Sequence, residues 1–387
     1  VNRILVAGAG PVGLTAALAL ARKGFPMTVL ESGADLATES RASTFHPPTL
    51  EMLDDLGIGD ELHERGLLSP TFAYRDRAEG LVALLDLAVL AGDTRFPYRL
   101  QCEQSKLTPI LRTRLLRHDG CEILYNWHLA GVTQTPAAVT ASAADGRSAR
   151  GSWLIGADGA HSRTRRAIGA GFEGITYPER FLVASTDEEL TAWLPDLASV
   201  NYVFDPVEWC VLLRTPDHWR VLLPTPSQTP DALEYARLDT RLRGVFDPGR
   251  PWRIAHASMY RVHQRVAAAF RVGRVLLAGD AAHVNNPLGG LGMNSGIHDA
   301  VAYAAALASG DEGAIDAAAT ERRRIALEYV QSVSHQNYER LRATDPVARA
   351  AHLESLRAVA ADPVRARESL LRSSMIAALR PAVGGPA

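Results

Sequence analysis

Apolar residues recur along the chain in three rhythms. Unbroken runs at Arg3-Ile4-Leu5-Val6-Ala7, Met27-Thr28-Val29-Leu30, Trp153-Leu154-Ile155 and Arg274-Val275-Leu276-Leu277-Ala278 read as short buried strands. Between Phe181 and Leu223 the period changes to two: Val200, Tyr202 and Phe204 share one face, as do Trp209, Val211 and Leu213, and then Trp219, Val221 and Leu223. That pattern predicts three antiparallel strands joined by turns at Asp205-Pro206 and Pro216-Asp217. Helical spacing or composition governs Leu14 to Arg22, Pro48 to Leu56, Leu100 to Leu116, Asp231 to Leu242, Asn294 to Ala308 and Ala314 to Leu341. Asp345-Pro346 and Asp362-Pro363 each announce one more helix, with aspartate as cap and proline in the first turn. Short strand-like pieces fill Leu67 to Phe96, and further strands are expected at Glu122 to Tyr125, Gly131 to Ala141 and Ile254 to Tyr260. From Arg380 onward a frayed tail is expected.

Three of the unbroken runs empty into glycine clusters. The first run leads into Gly8-Ala9-Gly10-Pro11-Val12-Gly13, then a helix, then a second strand ending on Glu31. Strand, glycine turn, helix and terminal acid together make a dinucleotide fingerprint. Gly8 permits the tight turn, Gly10 lets a pyrophosphate approach the backbone, and Gly13 lets helix and strand pack closely. The helix start supplies unpaired N–H groups and positive dipole, and Glu31 can accept from both hydroxyls of a ribose. By itself the motif admits a nicotinamide or a flavin. The other clusters are Gly156-Ala157-Asp158-Gly159-Ala160-His161-Ser162 and Gly279-Asp280-Ala281-Ala282-His283. All three lie at carboxyl ends of predicted strands, the edge where open α/β sheets bind ligands.

Bulk composition narrows the picture further. With 387 residues the chain has room for two domains, or one domain with a large insertion. A formal charge of -2 provides no general field for nucleic acid, and 22% charged with 47% hydrophobic residues is ordinary globular usage. Cys102, Cys121 and Cys210 are scattered, which argues against a redox disulfide, a zinc site or a secreted disulfide framework. No metal is expected. The first strand begins at once after Val1 and no apolar run approaches the ~18 residues of a membrane span. The expectation is a cytoplasmic protein with no membrane partner.

In this order and spacing the three clusters resemble those of the single-component FAD-dependent aromatic hydroxylases, the flavoprotein monooxygenases typified by para-hydroxybenzoate and phenol hydroxylases. The likeness extends to about Arg324. It implies an α/β fold: a Rossmann-like FAD-binding domain (residues 1–70, 97–180 and 270–325), an inserted antiparallel β-sheet substrate domain (71–96 and 181–269) and a C-terminal helical region (326–387). The resemblance assigns Gly8, Gly10, Gly13 and Glu31 to the ADP half of FAD, and Arg41 and Gln104 to further FAD contacts. Asp158, Gly159 and Arg165 fall on a motif serving both FAD and a passing nicotinamide, so NADH or NADPH is expected to meet Arg41, Asp158 and Arg165. Asp280 matches the aspartate of the ribityl chain. The segment then runs through Pro287-Leu288-Gly289-Gly290-Leu291-Gly292-Met293-Asn294. There a glycine loop opens a helix, and its amides suit the negative edge of a reduced flavin; Gly290, Gly292, Met293 and Asn294 are the expected contacts.

The implied reaction is hydride transfer from NAD(P)H to FAD, oxygen addition to give a flavin hydroperoxide, and attack on it by an electron-rich ring. The partners implied are a small aromatic substrate, O2 and NAD(P)H, and a single fingerprint fits a transient nicotinamide. Pro287, whose nitrogen carries no competing N–H, and His283 are the candidates beside the reacting edge. His46, Tyr202, Trp209, Arg214 and Trp219 are candidates for substrate contact. The helical tail suits a lid or a homodimer surface. Two departures from the family pattern flank the flavin edge, Asn285-Asn286 and Leu291. The W-x-W-x-I-P segment of flavin halogenases is absent. A flavin reductase or dehydrogenase, or a non-catalytic binding protein, would keep much of the same pattern.

Overall fold

The computed structural model describes residues 2–39 and 42–380. Its first sheet runs in the order Arg271–Val272, Val275–Leu277, Trp153–Gly156, Ile4–Ala7, Met27–Leu30, Glu122–Leu124. All neighbours are parallel except the antiparallel edge strand Arg271–Val272. The four apolar runs take the four central places, and every residue of those strands is buried. Their lack of polar alternation has a plain cause, because both faces are covered. Ile4, Val6, Val29, Ile155 and Leu276 face the helices Pro11–Ala21 and Leu291–Ser309. Leu5, Leu30, Leu154 and Val275 face a small sheet of Leu129–Thr135, Ala138–Ala143 and Ser148–Gly151.

A second, eight-stranded sheet has the order His283–Val284, Ile254–Ala267, Phe172–Thr186, Trp219–Pro226, Cys210–Arg214, Val200–Phe204, Thr71–Asp76, Gly80–Asp86. The three strands expected from the two-residue period are present and antiparallel. Longer than expected are Phe172–Thr186 and Ile254–Ala267, which pair along most of their length and carry the sheet across position 180 into the first domain. One face is lined by Phe72, Tyr177, Phe181, Tyr202, Phe204 and Trp209. The opposite face packs Leu182, Leu212, Val221 and Leu223 against Leu238 and Leu242 of the helix Asp231–Arg243.

Two expectations need correction. Residues 99–101 form a strand rather than the start of a helix, pairing with Thr44–Phe45 and Leu67–Ser69. Hydrogen bonds to two neighbours outweigh local helix propensity there, and the helix begins at Gln104. The long charged helix is interrupted by a wider turn, Ala326–Val330, between Glu312–Ile325 and Gln331–Arg342. The two Asp-Pro starts occur as expected: Asp345 accepts from Ala348 N at 2.7 Å and Asp362 from Val364 N at 2.9 Å. These last helices lie over the aromatic face, contributing Leu353, Leu370 and Ile376 to its core. Arg349 pairs with Asp76, and Arg367 Nε reaches Asp93 at 2.8 Å. Among the described residues, no helix is long and apolar enough to cross a membrane.

Candidate active site

The three glycine clusters meet at one sheet edge. Gly8 has φ +100°, and a side chain there would come within 2.5 Å of the Ala157 carbonyl oxygen and 3.2 Å of the Asp158 Cα. The first and second clusters therefore touch backbone to backbone. On the other side Val12 is wedged against the third cluster and its helix: a side chain on Gly279 would meet Val12 Cγ2 at 2.9 Å, and one on Gly296 at 2.6 Å. At Gly10 and Gly159, by contrast, no heavy atom lies within 4 Å of such a side chain. The seam is thus packed along its inner side and open along its outer one, at the start of the helix Pro11–Ala21.

The acids are set around that opening. Glu31 accepts from Ala9 N and Gly33 N, both at 2.7 Å, so its carboxylate is fixed at the strand tip while remaining half-exposed. Asp280 is the exposed residue of the short turn Gly279–Ala281. Asp158 is turned inward, accepting from Ser162 Oγ at 2.5 Å, Thr164 N at 2.9 Å and Thr164 Oγ1 at 3.1 Å. Arg165 is 6% exposed and lies over the Phe172 ring at 3.7 Å. It donates to Ala281 O at 2.9 Å and Ala160 O at 3.0 Å, which ties the second cluster to the third. Gln104 is half-buried, its N–H bonded to Ala42 O at 2.9 Å. Arg41 lies outside the described residues.

His283 is placed within the core, 2% exposed, and stacks on Phe270 with ring centroids 5.8 Å apart. Its Nε2 is 2.8 Å from Asp299 Oδ2, which also accepts from Gly279 N at 3.0 Å. Asp299 Oδ1 accepts from Arg322 Nε at 2.6 Å. Burial pushes the Asp299 carboxyl up, but Arg322 and His283 outweigh it, and the net shift is downward. This buried trio holds the turn carrying Asp280 against the helix Leu291–Ser309.

The glycine loop ahead of that helix is supported from below. Gly290 N donates to Pro287 O at 3.0 Å, and Gly290, with φ +68°, is the left-handed cap of the helix. Asn294, fully buried, accepts from His46 N at 2.9 Å and donates to Thr44 O at 2.8 Å and Gly290 O at 2.6 Å. His46, also fully buried, reaches Gly289 O through Nε2 at 2.8 Å. Asn286 Nδ2 bonds Tyr177 OH at 3.2 Å and Ser334 O at 2.9 Å. Gly292 faces Asn285 Oδ1, and Met293 is buried at 8% exposure.

Of the aromatic candidates, Tyr202 and Trp209 lie on the face toward this loop, whose Leu288 shares their cluster. Trp219 lies on the other face, donating from Nε1 to Glu189 Oε1 at 2.9 Å. Arg214 is beside it, 3.5 Å from Glu189 Oε2. Period two was read correctly, but which face meets the cofactor depends on what packs there. Sequence reasoning missed Phe72, Tyr74 and Arg99. Tyr74 stacks on Tyr202 at 5.5 Å and Arg99 lies over Phe72 at 4.1 Å. A lone arginine between Tyr98 and Leu100 was the only available signal.

The open cradle at Gly10 and Gly159, the half-exposed carboxylate of Glu31 and the exposed Asp280 fit an extended dinucleotide such as FAD. Comparison with known proteins agrees. A family model described as FAD binding domain matches residues 2–333. Para-nitrophenol 4-monooxygenase of a Pseudomonas strain is 36% identical over 360 residues, 89% of each chain. The 6-hydroxy-3-succinoylpyridine 3-monooxygenase of Pseudomonas putida is 33% identical over 351 residues, 88% of this chain and 89% of that one. The crystal structure of p-nitrophenol 4-monooxygenase from Pseudomonas putida superposes with a TM-score of 0.92 at 33% identity, covering 98% of this chain and 100% of that one. That of aklavinone-11 hydroxylase with FAD and aklavinone gives 0.78 at 27% identity, covering 89% and 70%. With the three clusters assembled on a parallel sheet and an aromatic-faced second sheet beside them, the chain belongs to the single-component FAD-dependent aromatic monooxygenases.

Proposed function

We propose that this enzyme hydroxylates a small phenol at the expense of NADH or NADPH and O2, with the ring held between the loop at Gly289-Gly290 and the aromatic face of the eight-stranded sheet. The observation that carries this reading is Leu288. It stands in the glycine loop, is 1% exposed, and belongs to the same cluster as Phe72, Tyr202 and Trp209. Loop and aromatic face therefore belong to one apolar cluster, a setting that keeps water out, as a reaction spoiled by water requires. The relatives named for p-nitrophenol support a ring of about that size.

FAD, when bound, supplies the acceptance of hydride and the activation of oxygen. The chain's part is to bind, orient and exclude water. Gly8, Gly10 and Gly13 with the following helix take the pyrophosphate, and Glu31 takes the ribose hydroxyls. Arg41, Gln104 and Gly159 border the same cradle. Asp280 takes the ribityl hydroxyls. The amides of Gly290, Gly292, Met293 and Asn294 face the polar edge of the flavin ring system. Pro287 borders the ring site, while His283 acts through Asp299 on the turn that carries Asp280. Asp158 and Arg165 hold the wall along which the nicotinamide passes, with their side chains turned into the protein.

The test is oxidation of NADH and of NADPH by the FAD-loaded enzyme, with oxygen uptake and product identification, across monocyclic phenols, aromatic acids and polycyclic phenols. Stimulation by a monocyclic phenol with a matching yield of hydroxylated product is expected. Nicotinamide oxidation without any hydroxylated product across the panel would favour a reductase and sink the proposal.

A further inference from the structure

Two buried asparagines grip the glycine loop, and they grip it from different sides. Asn294 ties it to the strand Thr44–Phe45. Asn286, fully buried and one of the departures from the family pattern, ties it elsewhere. Its Oδ1 accepts from Leu288 N at 3.1 Å, an Asx turn that shapes the loop from within. Its Nδ2 reaches outward, donating one proton to Ser334 O at 2.9 Å and the other to Tyr177 OH at 3.2 Å. Both donors and the acceptor of the amide are thus in use, a pattern that neither leucine nor an ionised aspartate can reproduce.

The partners lie off the parallel sheet. Tyr177, 4% exposed, stands on the strand Phe172–Thr186. Its single hydroxyl proton goes to Gln264 Oε1 at 2.6 Å, so the oxygen accepts from Asn286 and from His335 Nδ1, 3.0 Å away. Ser334 and His335 belong to the helix Gln331–Arg342. From the same helix Asn337 Nδ2 donates to Leu288 O at 3.4 Å, and Tyr338 packs edge-on to the Tyr177 ring with centroids 4.5 Å apart. Ser334, His335, Asn337 and Tyr338 all lie beyond residue 333, where the match to the FAD binding domain ends. Drawing helix and loop apart would strand the Asn286 amide and the Tyr177 hydroxyl inside an apolar cluster, a cost that holds the two as one unit.

We propose that Asn286 is a positioning residue through which the helix Gln331–Arg342 sets the glycine loop, and with it the amides of Gly290, Gly292 and Met293, against the polar edge of FAD. The inference rests on the reading of that loop as the flavin-facing one. A loosened clamp lets the loop drift and admits water. Flavin is then held less tightly, and more of the electron pair taken from the nicotinamide leaves on O2 as hydrogen peroxide, in place of hydroxylated product and water.

The experiment compares the wild type with Asn286→Leu, Tyr177→Phe, the two combined, and His335→Ala at the half-buried end of the chain. It reads the thermal melt without FAD, the FAD dissociation constant with the absorbance bands of the bound flavin, and peroxide formed per nicotinamide oxidised in the presence of p-nitrophenol. Asn286→Leu is expected to weaken FAD binding about tenfold, to shift the flavin bands and to raise the peroxide share. Tyr177→Phe and His335→Ala should act in the same direction but less, since the bond to Ser334 O survives. The double variant should be little worse than Asn286→Leu, because both changes break one link. An Asn286→Leu enzyme that melts lower yet keeps the wild-type FAD affinity and flavin bands overturns the proposal, and so do fully additive effects in the double variant. Where Asn286→Leu fails to fold, wild-type flavin affinity and bands in both Tyr177→Phe and His335→Ala overturn it instead. Altered flavin binding in an enzyme that hydroxylates no phenol upholds the clamp and defeats the hydroxylase reading, whereas hydroxylation with unaltered flavin binding in every variant defeats the clamp alone.

Discussion

His46 Nε2 sits 2.8 Å from the carbonyl oxygen of Gly289. A carbonyl only accepts, so this nitrogen carries the ring proton, and Nδ1, buried without a partner, keeps a bare lone pair. The residue proposed from sequence as a substrate contact is placed as a neutral strut between the strand Thr44–Phe45 and the glycine loop.

That neutrality makes stability depend on acid. Burial and then Arg99 hold His46 well below its ordinary 6.5, and burial and then Arg322 hold His298 at about 3. In the unfolded chain both titrate near 6.5, so below that pH the unfolded state binds protons that the folded state refuses. Stability is present above pH 6.5 and falls as pH drops toward the folded values, by about 2 kcal/mol for His298 between pH 6.5 and 5, with His46 acting in the same direction. Urea unfolding at about pH 5 and pH 7.5 checks this. His298→Gln, whose amide can reach the Nε2 position and keep the hydrogen bond to Thr49, should remove one histidine's share of the slope; an unchanged slope would contradict the assignment.

Gly10 and Gly296 should respond to alanine in opposite ways. At Gly10 nothing lies within 4 Å of the new methyl and φ is -74°, so Gly10→Ala should melt like the wild type without cofactor yet bind FAD about tenfold or more weakly. At Gly296 the methyl would fall 2.6 Å from Val12 Cγ2 and 2.9 Å from the Gly279 Cα. A loss of about 1–3 kcal/mol is expected, partly restored by adding Val12→Ala. Denaturation without FAD, with separate flavin titrations, distinguishes the two; a destabilised Gly10→Ala would refute the open cradle.

Asp299→Asn removes the only charge neutralising Arg322 among the described residues and disturbs the bonds to His283 and Gly279 N. The expected cost is about 3–5 kcal/mol, together with weaker FAD retention because the turn bearing Asp280 loosens. Flavin absorbance per protein and a thermal melt measure both, and wild-type values for both would remove the trio from the account.

What was legible in the sequence was what is local. Gly8 declares its turn through four neighbouring residues, and the buried strands declare themselves by unbroken apolar runs. Arg165 stands in a readable helix, but its partner Ala281 O is 116 residues away. Tyr74 joins Tyr202 only because Thr71–Asp76 pairs in parallel with Val200–Phe204, and no periodicity announces a pairing over such a separation. Trp219 shares the strand rhythm of Tyr202 yet faces the other way, because the helix Asp231–Arg243 occupies that side. The candidates on these strands are accordingly split between two faces, Tyr202 and Trp209 on one and Trp219 and Arg214 on the other, whereas the glycine clusters converged on one edge.

The C-terminal helices bring Tyr338, Leu353, Leu370 and Ile376 into the cluster of Tyr202 and Leu288, while the FAD-domain match ends at residue 333. That cluster is therefore shared between the matched portion, which supplies Phe72, Tyr202 and Trp209, and the stretch beyond it. On the proposed reading the flavin is held by the matched portion, and the aromatic cluster beside the glycine loop is completed by a tail that holds none of the three glycine clusters. Drift or recombination in that tail beyond Arg342 can retune which aromatic is accepted without disturbing the machinery that oxidises it, a division of labour by which one flavin scaffold acquires new diets.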